Sequence, residues 1–474
     1  MMKLSVEQGR ASMRKRAICW QTQLLVALFS CLVSPALADW KDDIGFTKLK
    51  AEVGGTLETG AGVVVAMAEA YVSGNYLPNL GNSQFAGKTL TDASGLSSGT
   101  SSHANTVAQL FFGNTASISG GVTNVTLYQA DDWLENKMGW KTGPDPVTQP
   151  FHIINHSWIG NSTNNGEMVD ALMRVDHMVH RDDVLVIAGT SNSGSTVPDL
   201  LGHGYNAMVV GRSSGVHGAG TTTFNGSGRT RPDIVAPGAS TSAATPMVSS
   251  AAALIRQAVA GTDGARSETM RAILMAGATK NEFASWDRTV TRPLDEVYGA
   301  GELNVYNSYQ IVQGGQFAGV TVEPTFSVGI SGWDYVDSLQ PNDTLYYNFT
   351  VANNQLLSEF SVSLNWNLEV NDLDSSTNTF APEALLANMS LRLFDSSDTF
   401  LGSLLDASLS PVDNLEHLYM RGLGAGTYTL AVNTDRATDM GIAWRGTLTA
   451  VPEPNSMLAI AFVASGFLLR RRKE

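Results

Sequence analysis

Cysteine is nearly absent. The 474-residue chain has two, Cys19 and Cys31, and both fall within the first 38 residues. That number excludes a disulfide-stapled scaffold and a zinc site built from cysteines. Basic residues are scarce as well, 30 Lys and Arg against 44 Asp and Glu, for a formal net charge of −14. Nucleic-acid binding needs a basic footprint, so no nucleic-acid partner is expected. No repeat of fixed period runs through the chain, which leaves out solenoids and propellers. An apolar fraction of 43% rules out disorder throughout. What remains, with 46 glycines, is a turn-rich chain. It is long enough for two or three domains of α/β or all-β type.

The charge is unevenly placed. Arg14, Lys15 and Arg16 precede an apolar core at 24–32 and the small-residue site Ala36-Leu37-Ala38. This is the layout of an export signal, with Asp39 as the expected mature start, and the core is too short to span a bilayer of about 30 Å. At the other end, Val451-Pro452-Glu453-Pro454 is followed by an apolar run at 457–469 and by Arg470, Arg471, Arg472 and Lys473. At about 1.5 Å per residue that run covers about two-thirds of a bilayer core, a gap that snorkelling flanks would close. The order Pro-Glu-Pro, short apolar helix, arginine cluster resembles the PEP-CTERM sorting signal of Gram-negative bacteria. The resemblance implies export through the inner membrane and recognition and cleavage by an exosortase-type sorting enzyme. An ordinary single-pass anchor is the alternative. The first 38 residues carry +4 and the segment from Val451 carries +2, which leaves the chain between them at −20. Both cysteines would leave with the signal.

Between the ends, residues 39–318 alternate short apolar runs with helical stretches, the pattern of an α/β domain with a mainly parallel sheet. Runs at 63–67, 153–154, 184–188 and 207–210 are candidate buried strands. Segments 104–112, 167–180, 246–260 and 267–278 are candidate helices. From 319 to 450 the runs at 345–351, 360–368, 390–394 and 427–432 alternate polar and apolar residues between turns, as in an antiparallel β-sandwich.

The most informative stretch is Arg231-Pro232-Asp233-Ile234-Val235-Ala236-Pro237-Gly238, followed by Ser240-Thr241-Ser242-Ala243-Ala244-Thr245-Pro246-Met247-Val248. A helix beginning near Pro246 would have a favoured proline in its first turn. A serine just before it would sit beside unsatisfied amides at the positive end of the helix dipole. This stretch resembles the nucleophile region of the subtilisin-like serine peptidases, Gly-Thr-Ser-Met-Ala-x-Pro-x-Val after a basic-Pro-Asp-Ile-x-Ala-Pro-Gly loop. It puts Ser242 on the nucleophile, with Ser240 in place of glycine and Ala243 in place of methionine.

A neutral serine needs a base, and the base an orienting carboxylate. Ser102-His103-Ala104-Asn105-Thr106-Val107-Ala108 resembles the family's His-Gly-Thr-His-Val-Ala-Gly and places His103 on the base, with three departures at Ala104, Asn105 and Thr106. Gly62-Val63-Val64-Val65-Ala66-Met67-Ala68-Glu69 matches the family's first strand without a gap and puts Glu69 where aspartate is expected. Asp92 is the competing acid, in a Ser/Thr/Gly loop. Ile153-Ile154-Asn155-His156-Ser157-Trp158 resembles the strand that binds substrate backbone, so Ser157 and Trp158 would border the cleft; His156 takes no role from the family. The run from Val186 to Gly194 corresponds to the oxyanion loop, where either Thr190 or Asn192 falls on the family's asparagine. Asn192 is preferred because a side-chain amide donates to an oxyanion. Tyr298-Gly299-Ala300-Gly301 resembles the segment that closes such domains.

Other signals carry less. Gly211-Arg212-Ser213-Ser214-Gly215 fits a nucleophile elbow, but a Gly/Thr-rich segment follows where a helix is required. His177 and His180 read as surface residues rather than a zinc site. Asp372, Asp374 and the aspartates of 395–398 read as solvated turns rather than a calcium loop.

The expectation is therefore a signal peptide at 1–38, a subtilisin-like three-layer α/β domain at 39–318, a jelly-roll-like β-sandwich at 319–450 and a sorting tail at 451–474. The function implied is an exported serine endopeptidase acting on protein or peptide substrates, held in the cell envelope, at the surface or released after tail processing. Ser242, His103, Glu69 and Asn192 would carry the chemistry with no cofactor, and a structural calcium ion is compatible but has no assignable site. The alternative is a peptidase fold kept as an envelope or matrix-binding protein. The altered histidine motif, the glutamate, and the stretch of about 25 residues before Val63, too short for a folding propeptide, point that way.

Overall fold

Aliphatic and β-branched runs too short for helices become the strands of one sheet in a computed structural model. It describes residues 39–451 apart from 195, 375 and 377. The expected export signal and the sorting tail with its apolar segment lie outside the described residues. Among the described residues no helix is long and apolar enough to cross a membrane.

In chain order the strands are β1 (Val64–Glu69), β2 (Thr89–Asp92), β3 (Asn124–Gln129), β4 (Ile153–His156), β5 (Leu185–Gly189) and β6 (Ala207–Arg212). A small ribbon of β7 (Gly220–Thr221) and β8 (Thr230–Arg231) precedes β9 (Ile234–Ala236). The sheet runs β2-β3-β1-β4-β5-β6-β9, parallel throughout. The helices are α1 (Trp40–Asp43), α2 (Phe46–Val53), α3 (Ser102–Phe112), the single turn α4 (Ala130–Asp132), α5 (Asn165–Asp182), α6 (Thr241–Ala258), α7 (Ser267–Gly277) and α8 (Val305–Gly314).

Strand periodicity sorts the core into two layers. Val65 and Met67 of β1 face α3, α6 and α7, while Ala66 and Ala68 face α5 on the other side. Both faces of the sheet are thus covered, which is the condition a parallel sheet requires. Three strands had no counterpart in the sequence reading. Of these, β2 is an edge strand alternating exposed and half-buried residues, and β9 has only three residues.

One helix starts earlier than expected. Helix α6 begins at Thr241, capped by Ser240, whose hydroxyl accepts from the Ala243 amide at 3.2 Å. Pro246 therefore lies inside the helix, not in its first turn. Lacking an N–H, it gives no helical hydrogen bond to the carbonyl of Ser242 four residues before.

The C-terminal region is a sandwich of two four-stranded antiparallel sheets. Its strands are β10 (Gly332–Leu339), β11 (Thr344–Val351), β12 (Gln355–Asn365), β13 (Glu369–Asp372), β14 (Pro382–Leu385), β15 (Met389–Asp395), β16 (Ser403–Ser408), β17 (Leu415–Met420), β18 (Gly426–Thr434) and β19 (Thr438–Ala450). One sheet is ordered β10-β19-β12-β17, the other β11-β18-β15-β16, and β13-β14 form a hairpin. Phe349, Leu391, Leu393 and Leu430 of the second sheet pack with Phe360, Val362, Ile442 and Trp444 of the first.

The sandwich docks on the α/β region through buried polar groups. The Asn206 side chain, just ahead of β6, treats Leu368 as a strand partner: its Oδ1 accepts from the Leu368 amide at 2.8 Å and its Nδ2 donates to the Leu368 carbonyl at 2.9 Å. Arg271 of α7 donates to the Trp366 carbonyl and to Asn367 Oδ1. His177, expected at the surface, is 9% exposed; its Nδ1 pairs with the Val370 carbonyl at 2.7 Å. The strand that covers it is 193 residues away in sequence, so a local reading had no access to it. Gly441 of β19 lies so close to α7 that a Cβ would collide with the backbone of Thr269.

Asn206→Leu leaves two buried backbone groups of Leu368 unpaired, at about 1–3 kcal/mol for each. Chemical unfolding should show that loss. Calorimetry should show a single transition, and a separately melting sandwich would contradict this junction.

Candidate functional site

The candidate residues gather along one edge of the parallel sheet, the carboxyl edge, around the step between β1 and β4. There the strand order reverses: the chain passes from β1 outward to β2 and β3, then returns to the opposite side of β1. Crevices at such reversals are where open α/β sheets bind ligands. Glu69 is the last residue of β1, and the pairing of Ala68 with His156 sets Glu69 level with Ser157, which follows β4.

Glu69 is 1% exposed, and its Oε2 lies 2.7 Å from Nδ1 of His103. Burial raises the carboxyl pKa, and the hydrogen bond and charge of His103 pull it back. The other oxygen, Oε1, is buried without a hydrogen-bond partner among the described residues. His103 is the second residue of α3, behind the cap Ser101, and is about one-third exposed (34%). Its hydrogen bond to Glu69 raises the imidazole pKa, while partial burial acts in the opposite sense. With Nδ1–H directed at a carboxylate, Nε2 keeps the lone pair that a base uses.

Helix α3 packs along α6, and α6 carries Ser242 at its second position. Two neighbours of Ser242 have fixed partners. The Thr241 amide donates to Asn192 Oδ1 at 2.8 Å, and the Ala243 amide is taken by the Ser240 cap. The Ser242 amide has no partner among the described residues. The Ser242 hydroxyl donates to the Ser157 carbonyl at 3.3 Å, and among the described residues no hydrogen bond joins it to His103. Catalytic hydrogen bonds in ligand-free sites are often long or unformed.

Thr190 and Asn192 are now distinguishable. Thr190 is 1% exposed, and its hydroxyl proton goes to the Gly218 carbonyl at 2.6 Å. Asn192 is exposed, and because its Oδ1 is held by Thr241, its Nδ2 is left to donate. Ser157, Trp158, Ile159 and the run from Gly189 to Asn192 line a cavity of about 120 Å³ that reaches Ser242. Asp92 is the last residue of β2, not a loop residue; it accepts from the Tyr76 hydroxyl and from the amides of Ser94 and Gly95.

Comparison with known proteins agrees with the reading of the motifs. Residues 69–301 match the subtilase family, and residues 450–473 match the PEP-CTERM protein-sorting motif. Residues 69–301 are a subtilase-family region. Among solved structures, the self-cleaved protease domain of PatA is 20% identical over 54% of this chain and 99% of its own, with a TM-score of 0.38. The patellamide maturation protease PatA is 19% identical over 54% and 98%, at 0.37. A cold adapted subtilisin-like serine proteinase is 17% identical over 52% and 88%, at 0.36. No curated protein matches.

The departures of this region from the family pattern have local explanations. Ser240 replaces a glycine where the backbone is extended (φ −141°, ψ 164°), so a side chain is tolerated and serves as the helix cap. Gly238, which is kept, has no such latitude: a Cβ there would collide with the Ala244 amide. Thr106, in place of the second histidine, is exposed and bonds back to the Ser102 carbonyl.

Two residues of this region hold the cleft without having been assigned a role from sequence. Asn155, fully buried, donates to Ser157 Oγ and accepts from Ser249 of α6, tying the cleft wall to the helix that carries Ser242. His156 accepts from the Trp158 indole at 3.1 Å and packs its ring against Trp133. Burial holds its pKa down to about 3, so it stays neutral as a prop for Trp158. Only the asparagine inside the Ile-Asn-x-Ser pattern offered a signal. Asp372, Asp374 and Asp395 accept from amides two residues ahead, as turn aspartates do. Among the described residues no three His, Cys, Asp or Glu side chains gather as a metal site.

The imidazole of His103 should titrate above the ordinary histidine value, and Glu69→Gln should lower that pKa. Ring-carbon NMR across pH 4–10 measures both, and an unchanged pKa in Glu69→Gln would break the link between the two side chains.

Proposed function

We propose that the protein is a serine endopeptidase exported to the cell envelope, with Ser242 as nucleophile. The observation that carries this is the 2.7 Å pair of Glu69 and His103, with Glu69 on the strand next to the one that leads to Ser157 and His103 on the helix packed along α6, whose second residue is Ser242. In the forward step Ser242 Oγ attacks the scissile carbonyl carbon, and its proton passes to Nε2 of His103. Glu69 keeps Nδ1–H pointed inward and stabilises the imidazolium that forms. The oxyanion receives the unpartnered Ser242 amide and Asn192 Nδ2. Collapse expels the amine, which takes the proton from His103. Water then repeats the sequence on the acyl-enzyme and returns Ser242 to its hydroxyl form. No cofactor takes part.

Glutamate has one methylene more than aspartate, and here that length is taken up by the pairing with His103 from the last position of β1. Anchoring of the Asn192 carboxamide supports its role: the oxygen is already committed to Thr241, so turning the amide would cost a hydrogen bond. The sorting motif at 450–473 supports export and recognition by an exosortase-type enzyme of a Gram-negative envelope.

A fluorophosphonate probe should label the wild-type protein and not Ser242→Ala; absence of wild-type labelling would leave a peptidase fold used for binding alone. Asn192→Ala should lower kcat by about 10²–10³. Glu69→Gln should lower it by up to about 10⁴, through loss of the correct histidine tautomer. In wild type the acid limb of kcat/KM should lie above the ordinary histidine pKa, because the base must lose its proton before it can act and Glu69 raises its affinity for that proton.

A further inference from the structure

The cleft extends past the small cavity at Ser242. Ile159 and Ser191 wall that cavity on one side and belong equally to a second one of about 620 Å³. The second lies between the loops that follow β4 and β5 and the strand pair β7-β8; Asp199 and His203 are among its walls.

Its charge is one-sided. Asp199 is half-buried, its amide donates to Asn161 Oδ1 at 3.3 Å, and no lysine or arginine is found among the lining residues. Among the described residues no cation pairs with its carboxylate. His203 is 2% exposed and stacked on Phe224 with ring centroids 4.1 Å apart. Burial lowers its pKa, while hydrogen bonds to the backbone of Val197 and Phe224 and the charge of Asp199 act in the opposite sense. Arg229, which bonds to the His203 carbonyl, is fully buried and spends its other donors on the carbonyls of Gly204, Asn225 and Gly226. The cavity therefore presents a carboxylate with no cationic partner among the described residues, and it shares Ile159 and Ser191 with the cavity at Ser242. A cavity that holds an anion and is walled in part by Ile159, Val197 and Pro198 suits a side chain with an aliphatic stem and a cationic tip.

We propose that this second cavity receives the cationic end of a lysine or arginine side chain of the peptide substrate, from the residue on the acyl side of the scissile bond, with Asp199 as its counter-charge. The inference rests on Ser242 being the reacting centre and names the substrate class of that site. The excess of acidic residues acts in the same direction, since it draws cationic peptides toward the molecule.

Binding and catalysis test it separately. Full-length Ser242→Ala protein is titrated with peptides that differ only in arginine against citrulline, and in lysine against acetyl-lysine, at the acyl-side position. The charged member of each pair should bind roughly 10- to 100-fold tighter, the range for a hydrogen bond to a charged group. Asp199→Asn, introduced alongside, should bring that ratio close to one, and Asp199→Lys should turn the preference toward a glutamate peptide. Equal affinities for arginine and citrulline overturn the proposal, as does a ratio that survives Asp199→Asn. The wild-type-pocket comparison decides even where a variant fails to fold. Fluorophosphonate labelling reads the other question: labelling without an arginine preference removes the role of Asp199 and keeps the peptidase, and the preference without labelling keeps the cation site and removes the peptidase.

Discussion

Helix α6 is the part to which every element of the site is referred. Thirteen of its eighteen residues are buried, and it crosses the domain between the sheet and helices α3, α7 and α8. A helix so enclosed cannot shift without opening a cavity, and cavities in cores are costly. Its first turn therefore has a fixed place, and the surrounding groups are arranged against it. Asn192 grips the Thr241 amide, Ser240 caps the Ala243 amide, and Asn155 reaches Ser249 from the strand beneath. Of the first amides, that of Ser242 has no partner among the described residues. Such an amide at the positive end of a buried helix is suited to negative charge that appears only during a reaction.

The same enclosure raises the electrostatic stakes around the helix. Glu69 is buried with one oxygen satisfied and the other not, so its charge depends on His103. The imidazole in turn depends on Glu69 for its orientation. The pair lies where β1 ends, with Glu69 buried and His103 about one-third exposed. At the opposite side of the domain the sandwich is attached by polar groups as well as by apolar contacts of Trp333, Leu415 and Ala443 with the α/β core. There Asn206, Arg271 and His177 pair with main-chain carbonyls and amides of the segment 366–370. Hydrogen bonds of that kind have directional requirements, so they fix how the two regions meet as well as that they meet.

Legibility followed the range of the interactions. The seryl, histidyl and first-strand motifs are contiguous, and each places its residue through the strand or helix it belongs to. For this reason Ser242, His103 and Glu69 could be singled out from sequence. The difference in occupancy between Thr190 and Asn192 was not visible in sequence, because Gly218, which accepts from the Thr190 hydroxyl, is 28 residues away. Pro246 misdirected the start of α6, because a proline signals a first turn more often than an interior position. His177 was misread since the strand that buries it belongs to the sandwich. Asp199 offered no pattern of its own; its interest comes from a cavity formed by three separate loops.

The last described strand adds a mechanical property to the architecture. β19 is an inner strand, bonded to β10 on one side and along its whole later half to β12 on the other, and it ends at Ala450. The Val451 amide is still held by the Asn354 carbonyl at 2.8 Å. Hydrogen bonds of an antiparallel ladder run across the strand direction, so tension applied to the chain beyond Val451 loads them together in shear instead of peeling them one at a time. Any drag on a protein tethered through that end is thus taken up by the sandwich ladder, and the cleft at the far edge of the α/β sheet is kept out of the line of force.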